Sequence, residues 1–109
     1  MNYSWHILRL GLQDELNHEG NLLENAIVNI KWKRVAEDTD GTTASYVGNT
    51  KLSAANVNSA DFVALNDVTN EMAVSWVEGN LSEAQLNRID EQLDNKVDRN
   101  RVRSVRPNW

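Results

Sequence analysis

Residues 26–35 read AIVNIKWKRV, and their alternation indicates the class of fold. In an extended chain, one face of this stretch carries four apolar side chains: Ala26, Val28, Ile30 and Trp32. The opposite face carries three polar ones: Asn29, Lys31 and Lys33. Such alternation is typical of a strand with one buried and one solvated face. A strand of a parallel sheet would be apolar on both faces, so the pattern predicts an antiparallel sheet.

A tight turn and a returning strand follow this stretch. Residues 37–41 read EDTDG, and an Asp-Gly pair supplies the positive φ angles that a hairpin turn needs. Residues 42–52 (TTASYVGNTKL) are rich in Thr and predict the returning strand, with a bulge at Gly48. Upstream, residues 3–12 (YSWHILRLGL) predict a third strand, and the polar residues 14–21 predict a loop after it.

The second half of the chain predicts two helices. Four apolar side chains recur at spacings of three and four, with Ala73 and Val77 beside them: Leu65, Val68, Met72 and Trp76. Thr69 as N-cap and Gly79 as the residue after the last turn place the first helix at residues 69–78. Residues 53–64, which are small and polar around Phe62 and Val63, predict at most a short helical turn.

The second helix has a better specified start. Residues 82–85 (SEAQ) form a capping box, in which the first and last side chains each bond the backbone of the other. Its apolar stripe consists of Leu86, Ile89, Leu93 and Val97. We expect this helix to end near Asp98, and the short connection between the helices predicts a helical hairpin.

Together these elements predict an α+β fold. A three-stranded antiparallel sheet, or four strands if the last segment adds an edge strand, is covered on one face by the C-terminal helical hairpin. Residues 1–98 are expected to form the single domain, and residues 99–109 a basic C-terminal tail or edge strand. The predicted core consists of Trp5, Val28, Ile30, Trp32, Phe62, Met72, Trp76, Leu86, Ile89 and Leu93.

The composition excludes several classes of protein. The 109 residues contain no cysteine, which excludes disulfides and thiolate chemistry and favours a reducing, intracellular setting. No apolar run approaches the roughly 18 residues that cross a bilayer, so we expect a soluble protein without a membrane partner. The net charge of −5 argues against a nucleic-acid partner, because binding phosphates needs a basic face.

No residues have the spacing of a catalytic or metal-binding site. His6 and His18 are twelve residues apart and form no spaced metal pair. The sequence contains no G-x-S-x-G elbow and no glycine-rich phosphate loop. Acidic groups such as Asp90 and Asp94 fall on the solvated side of the second helix. We therefore expect no enzyme, no cofactor and no metal.

The C-terminal segment is the candidate binding site. Residues 1–95 carry six basic and 15 acidic side chains, whereas residues 96–109 carry five basic and one acidic. The candidate partner-binding residues are Arg99, Arg101, Arg103, Arg106 and Trp109. Arg and Trp are enriched at interface hot spots, and arginine pairs well with carboxylates. The alternative is that the tail folds back onto the acidic surface of its own domain.

Several segments and motifs resemble a known family. The segments are residues 5–16, 27–48, 60–76 and the ending from Asn100 to Trp109. The motifs are the Asp-Gly hairpin, the helix from Thr69 to Trp76, and the Arg-x-Arg of Arg101 and Arg103. They resemble small uncharacterised proteins of tailed phages, especially marine cyanophages, over nearly the whole chain. The resemblance implies a phage origin and carries no catalytic residues over.

Two functions fit these observations. The first is a structural or assembly protein of a phage particle, which uses the tail or a sheet edge to join copies of itself or another phage protein. The second is a small protein of the host cytoplasm whose acidic surface binds and redirects a host protein. We prefer the first, because small non-enzymatic phage proteins with interface-type residues fit it more simply.

Overall fold

The computed structural model of the chain describes residues 1–101 and Pro107. It contains a three-stranded antiparallel sheet followed by two helices, which confirms the predicted α+β fold. The elements are, in chain order, β1 (Asn2–Leu16), β2 (Leu22–Glu37), β3 (Thr43–Lys51), α1 (Asn70–Gly79) and α2 (Glu83–Arg101). Two single 3-10 turns, Ser59–Asp61 and Leu65–Asp67, lie in the connection between β3 and α1.

β2 is the central strand of the sheet, and β1 and β3 are its two edges within the described residues. β1 and β2 form a hairpin roughly 50 Å long, at about 3.3 Å per residue. Their pairing is irregular at three places, next to Leu8, Val28 and Asp14. Such irregularities twist an edge strand and make it a poor template for pairing with another chain.

The strands are longer than the sequence predicts. β1 continues to Leu16, so the predicted loop begins at Asn17, and β2 begins at Leu22. The polar residues of this extension accept hydrogen bonds that hold it in place. Asp14 Oδ1 accepts from the backbone N–H of Asn25 at 2.8 Å, and Glu15 Oε2 accepts from that of Ala54 at 3.0 Å.

The predicted turn between β2 and β3 is confirmed, and the predicted bulge at Gly48 is wrong. Gly41 has a φ of 86° and donates its N–H to the carbonyl of Asp38 at 2.9 Å. Gly48 pairs regularly with Trp32. The indole of Trp32 lies over Gly48, where a Cβ would come within 2.7 Å of the ring atom Cη2. Glycine is therefore required here by close packing.

Both helix starts are as predicted. The hydroxyl of Thr69 accepts from the N–H of Met72 at 3.2 Å. In the capping box, the N–H of Gln85 donates to Ser82 Oγ at 3.1 Å, and the N–H of Ser82 donates to Gln85 Oε1 at 2.9 Å. Each pair satisfies amides that a helix N-terminus leaves without an intrahelical partner.

Both helix ends differ from the prediction. Gly79 is the last residue of α1, and Asn80 follows it as the C-cap. α2 continues past Asp98 to Arg101, so residues 99–101 are helical and form no edge strand. The remainder of the predicted tail, apart from Pro107, lies outside the described residues.

The main core lies between the sheet and both helices. Its buried side chains are Ile30, Trp32, Ala36, Ala44, Ala73, Val77, Ile89, Leu93 and Val97. Of the predicted core, Trp5, Val28, Phe62, Trp76 and Leu86 are only half-buried. Met72 is exposed, because α1 turns Ala73 and Val77 toward the sheet instead. Val28 is the extra residue of a bulge, so the alternation of β2 is broken at that point.

The opposite end of the hairpin has a smaller core. Leu23, Ala26 and Ala54 are buried there, with Val57 and Phe62 packed against them. The segment between β3 and α1 covers this end, and no regular helix does so among the described residues. We call residues 12–26 with residues 53–68 the tip half, and the part of the sheet under α1 and α2 the helix-covered half.

Candidate functional site

Only two of the five predicted binding residues lie in the described part of the chain. Arg99 and Arg101 belong to the last turn of α2, and both are exposed. Arg103, Arg106 and Trp109 lie outside the described residues. The prediction that these five residues bind a partner therefore stays a prediction.

Arg101 makes contacts within its own chain. Its guanidinium pairs with Asp38 and with two further carboxylates, Asp40 Oδ2 at 3.1 Å and Asp98 Oδ1 at 3.0 Å. The side-chain amide of Asn100 donates to the carbonyl of Thr43 at 2.8 Å. The end of α2 is thus fixed to the turn between β2 and β3. At this one residue, the arginine meets the acidic surface of its own domain.

Asp40 stabilises the turn that Arg101 contacts. Its Oδ1 accepts from the N–H of Thr42 at 3.0 Å. Hydrogen bonds from Thr42 hold the pKa of this carboxyl below its ordinary value. The carboxylate therefore stays charged, and available to Arg101, at mildly acidic pH.

The face of the sheet that points away from the helices carries basic side chains. We call this surface the open face and define it by His6, Arg9, Lys31, Lys33, Val47 and Lys51. These residues alternate with the buried positions of the same strands. Val47 is 50% exposed, so this face contains an apolar side chain beside the charges.

Two cations of the open face lie directly across from each other, because Arg9 of β1 pairs with Lys31 of β2. Next to them, Lys33 pairs with His6. Side chains paired in this way have Cβ atoms about 5 Å apart, and like charges at that distance are destabilising. No carboxylate among residues 1–101 forms an ion pair with Arg9 or these lysines. Along the helix-covered half of the sheet, Glu37 is the only acidic residue on this side, at its far end.

The tip half has the opposite charge. It carries six carboxylates and no lysine or arginine: Asp14, Glu15, Glu19, Glu24, Asp61 and Asp67. We call this surface the acidic tip. Leu16 and Leu22 pair across the end of the hairpin and are 64% and 55% exposed. The acidic tip therefore also presents an apolar pair.

Asn17 fixes the geometry of the acidic tip. Its side-chain oxygen accepts from the N–H groups of Glu19 and Asn21, at 3.1 and 2.9 Å. Its side-chain amide donates to the carbonyl of Val57 at 2.9 Å and to Ser59 Oγ at 3.1 Å. A buried asparagine with these partners ties the hairpin end to the covering segment.

Glu19 adds a second connection between the same two segments. Its Oε1 accepts from the N–H of Ser59 at 2.7 Å. This hydrogen bond lowers the pKa of Glu19 below the ordinary value for glutamate. Glu19 consequently contributes a negative charge to the acidic tip over the physiological pH range.

Arg34 is a buried cation that the sequence interpretation missed. Its Nε donates to Asp90 Oδ1 at 2.7 Å, and its Nη2 donates to Asp90 Oδ2 at 3.3 Å. The guanidinium lies over the rings of Trp5 and Tyr3, at 4.5 and 5.0 Å from their centroids. Asp90 is therefore part of the sheet–helix contact, although the sequence assigned it to the solvated face of α2. The arrangement is structural, since the arginine is enclosed by its own domain.

Beside Arg34, Tyr3 forms a second polar contact with α2. Its hydroxyl donates to Asp94 Oδ1 at 2.6 Å. This hydrogen bond, together with burial and the nearby carboxylates, raises the pKa of Tyr3 to about 12. The tyrosine therefore keeps its proton, and the bond to Asp94, throughout the physiological range.

An apolar cavity of about 270 Å³ lies where the two halves meet. Ala26, Ile27, Phe62 and Trp76 form much of its wall. Asp61 is the single carboxylate in the described lining, and it accepts a hydrogen bond from Asn58. Ser53 is the other polar side chain of the lining, and its hydroxyl donates to Glu15 Oε2 at 3.4 Å.

Within residues 1–101 and Pro107, no group of three acidic, histidine or cysteine side chains could hold a metal ion. The helices in that part of the chain lack the length and apolar character needed to cross a membrane.

Comparison with known proteins adds the family. The profile of a domain of unknown function, DUF7936, matches residues 1–108. The chain belongs to this family. No curated protein and no solved structure matches the chain. Family membership is consistent with the predicted resemblance to uncharacterised proteins and assigns no activity.

The sequence predicts some of the residues of the open face. Lys31 and Lys33 alternate with buried residues of β2, which placed them on the solvated side. The register adds Arg9 and Lys51 to the same surface. Irregular pairing next to Leu8 decides that Arg9 faces outward, and no local pattern predicts such an irregularity.

Proposed function

We propose that this chain is a non-enzymatic phage protein that acts through protein–protein contacts as a structural or assembly-associated component of the virion. The observation that supports it best is the open face. A sheet surface with four unneutralised cations and an exposed valine is costly in isolation, and a complementary partner would remove that cost. The phage origin rests on the resemblance of the segments described above.

The proposal is tested by two measurements on the full chain. Mass spectrometry and immunoblotting of purified, nuclease-treated particles should detect the chain in a constant ratio to the major structural proteins. Sedimentation velocity of the purified chain should show a defined oligomer. A monomer that is absent from particles would contradict the proposal.

A chain ending at Arg101 tests the predicted C-terminal binding residues separately. This truncation keeps the whole of α2 and the pairing of Arg101 with Asp38. It removes Arg103, Arg106 and Trp109. If these residues join subunits, the truncated chain should remain folded and lose the oligomer. Unchanged assembly would exclude the segment from the interface.

The acidic tip favours a second candidate, the binding of a basic host protein in the cytoplasm. Its six carboxylates lie in a part of the chain that carries no lysine or arginine. A monomer that captures one host protein, and loses it when Glu24 and Asp67 are changed to lysine, would support this candidate.

A further inference from the structure

We propose that the open face binds the acidic tip of a second copy of this chain, so that copies join head to tail. The inference rests on the proposed function and names the surfaces and the partner. Both surfaces belong to the same molecule, and they carry opposite charges and exposed apolar side chains.

The first argument is that one molecule cannot neutralise its own open face with its own tip. Lys31 follows Glu24 by seven positions along β2, which is roughly 20 Å at about 3.3 Å per residue. Exposed charges are largely screened beyond about 8 Å at physiological ionic strength. The acidic tip therefore acts on the open face only when it comes from another molecule.

The second argument is that the apolar side chains match as well as the charges. Leu16 and Leu22 are exposed at the tip, and Val47 is exposed on the open face. An apolar contact surrounded by opposite charges is the usual arrangement of a specific protein interface. Contact would bury these side chains while the lysines meet carboxylates at the rim.

The third argument concerns nucleic acid, the other polyanion that a basic face could bind. Proteins that bind single strands stack bases on exposed aromatic rings. The aromatic side chains of the strands, Trp5, Trp32 and Tyr46 among them, pack on the helix side. The described open face offers none. The six carboxylates of the tip would also repel a phosphate backbone.

The geometry of the contact determines the kind of assembly. The tip and the open face are different surfaces, so each copy can both give and receive one contact. Such contacts close into a dimer or a larger ring, or continue as a filament. A dimer that joined tip to tip or open face to open face would instead bring like charges together.

Charge reversal tests the pairing directly. One variant combines Lys31→Glu with Lys33→Glu on the open face, and the other combines Glu24→Lys with Asp67→Lys at the tip. All four side chains lie outside the buried set, and none belongs to the Asn17 connection. Each variant alone should weaken self-association at least about tenfold in sedimentation velocity. An equimolar mixture of the two should recover it, because complementary surfaces are then present again.

Matched controls change the same amount of charge elsewhere. Arg88→Glu with Gln92→Glu and Asn95→Asp is the control for the open face, and Glu78→Lys with Glu91→Lys is the control for the tip. These five residues are exposed on the helices and lie outside the candidate binding residues. The controls should assemble like the wild type, and circular dichroism should show that every variant is folded. Wild-type assembly should also decrease between about 50 mM and 500 mM salt.

The outcomes separate this inference from the proposed function. Assembly that resists salt and both reversals, or a mixture that fails to recover it, overturns the head-to-tail contact and leaves the assembly function standing. A wild type that stays monomeric and is absent from particles overturns both. If the wild type is a monomer and binds polyglutamate or a DNA duplex through Lys31 and Lys33, the open face has a different partner. That result would overturn the proposal that a second copy binds there.

Discussion

In the helix-covered half, large side chains fill the space between the sheet and α2, whereas in the tip half small side chains and polar hydrogen bonds close the structure. Trp32 packs edge-on against Trp5 with ring centroids 5.2 Å apart, and it stacks with Tyr46 at 5.9 Å. At the other end, the buried apolar residues are Leu23, Ala26 and Ala54. The same two strands thus run through two different kinds of interior.

The difference shows how each half resists opening. The helix-covered half buries apolar area and pairs Arg34 with Asp90, so opening it exposes a large surface. The tip half leaves a cavity of about 270 Å³ at its boundary and depends on Asn17 and Glu19. Regions with few buried apolar contacts open locally at lower free energy than the rest of a domain.

Shortening Leu93 should produce the largest loss of stability. Its side chain is fully buried between α2 and the sheet, so Leu93→Ala should lower the free energy of unfolding by about 2–5 kcal/mol. Met72→Ala is the control, because Met72 is 37% exposed, and it should cost no more than about 0.5 kcal/mol. Urea denaturation measures both. Equal losses would mean that α1 and α2 pack differently from the structure.

These two positions also show which part of the core the sequence predicts correctly and which part it does not. Met72 and Ala73 both lie on or beside the apolar stripe of α1. Neighbouring side chains point about 100° apart around a helix axis, so only one of the two can face the sheet directly, and the stripe does not decide which. Leu93 lies at the centre of its stripe and was predicted correctly. The buried alanines of the main core were missed, because alanine occurs on buried and on exposed faces alike. An alanine in the sequence therefore does not indicate which face it lies on.

Local chemistry predicted the turn and the helix starts better than the packing of the elements. The Asp-Gly turn, the Thr69 cap and the Ser82 capping box are confirmed, because each depends on residues close together in the chain. The open face required the register of three strands, and the Asn17 connection required a contact forty residues away. Interactions over such distances depend on the whole fold.

Removing the Asn17 side chain should have an intermediate and local effect. Asn17→Ala leaves the amides of Glu19 and Asn21 without their side-chain acceptor and should cost about 1–3 kcal/mol. Hydrogen exchange should rise in residues 17–21 and 53–61, while α2 stays protected. Asn66→Ala, at an exposed position of the same half, is the control and should leave exchange unchanged. Faster exchange in α2 would show that the two halves open together.

The smallest effect on stability is expected for a substitution of Tyr3, in the helix-covered half. Tyr3→Phe removes the hydrogen bond to Asp94, and because Tyr3 is 36% exposed the loss should be only about 1 kcal/mol. The pKa of Tyr3 is raised to about 12 in the folded protein, against 10.0 for an unperturbed tyrosine. The stabilisation is therefore complete below pH 10 and is lost as the pH rises toward 12.

Two measurements can detect the loss of this stabilisation at high pH. The difference in unfolding free energy between the wild type and Tyr3→Phe should shrink over that range of pH, and absorbance of tyrosinate should show a late ionisation step. Tyr46→Phe should leave that step in place, whereas Tyr3→Phe should remove it. A Tyr3 that ionises near pH 10 would mean that its hydroxyl is solvated, and α2 would then be joined to this end of the sheet by Arg34 and Asp90 without help from Tyr3.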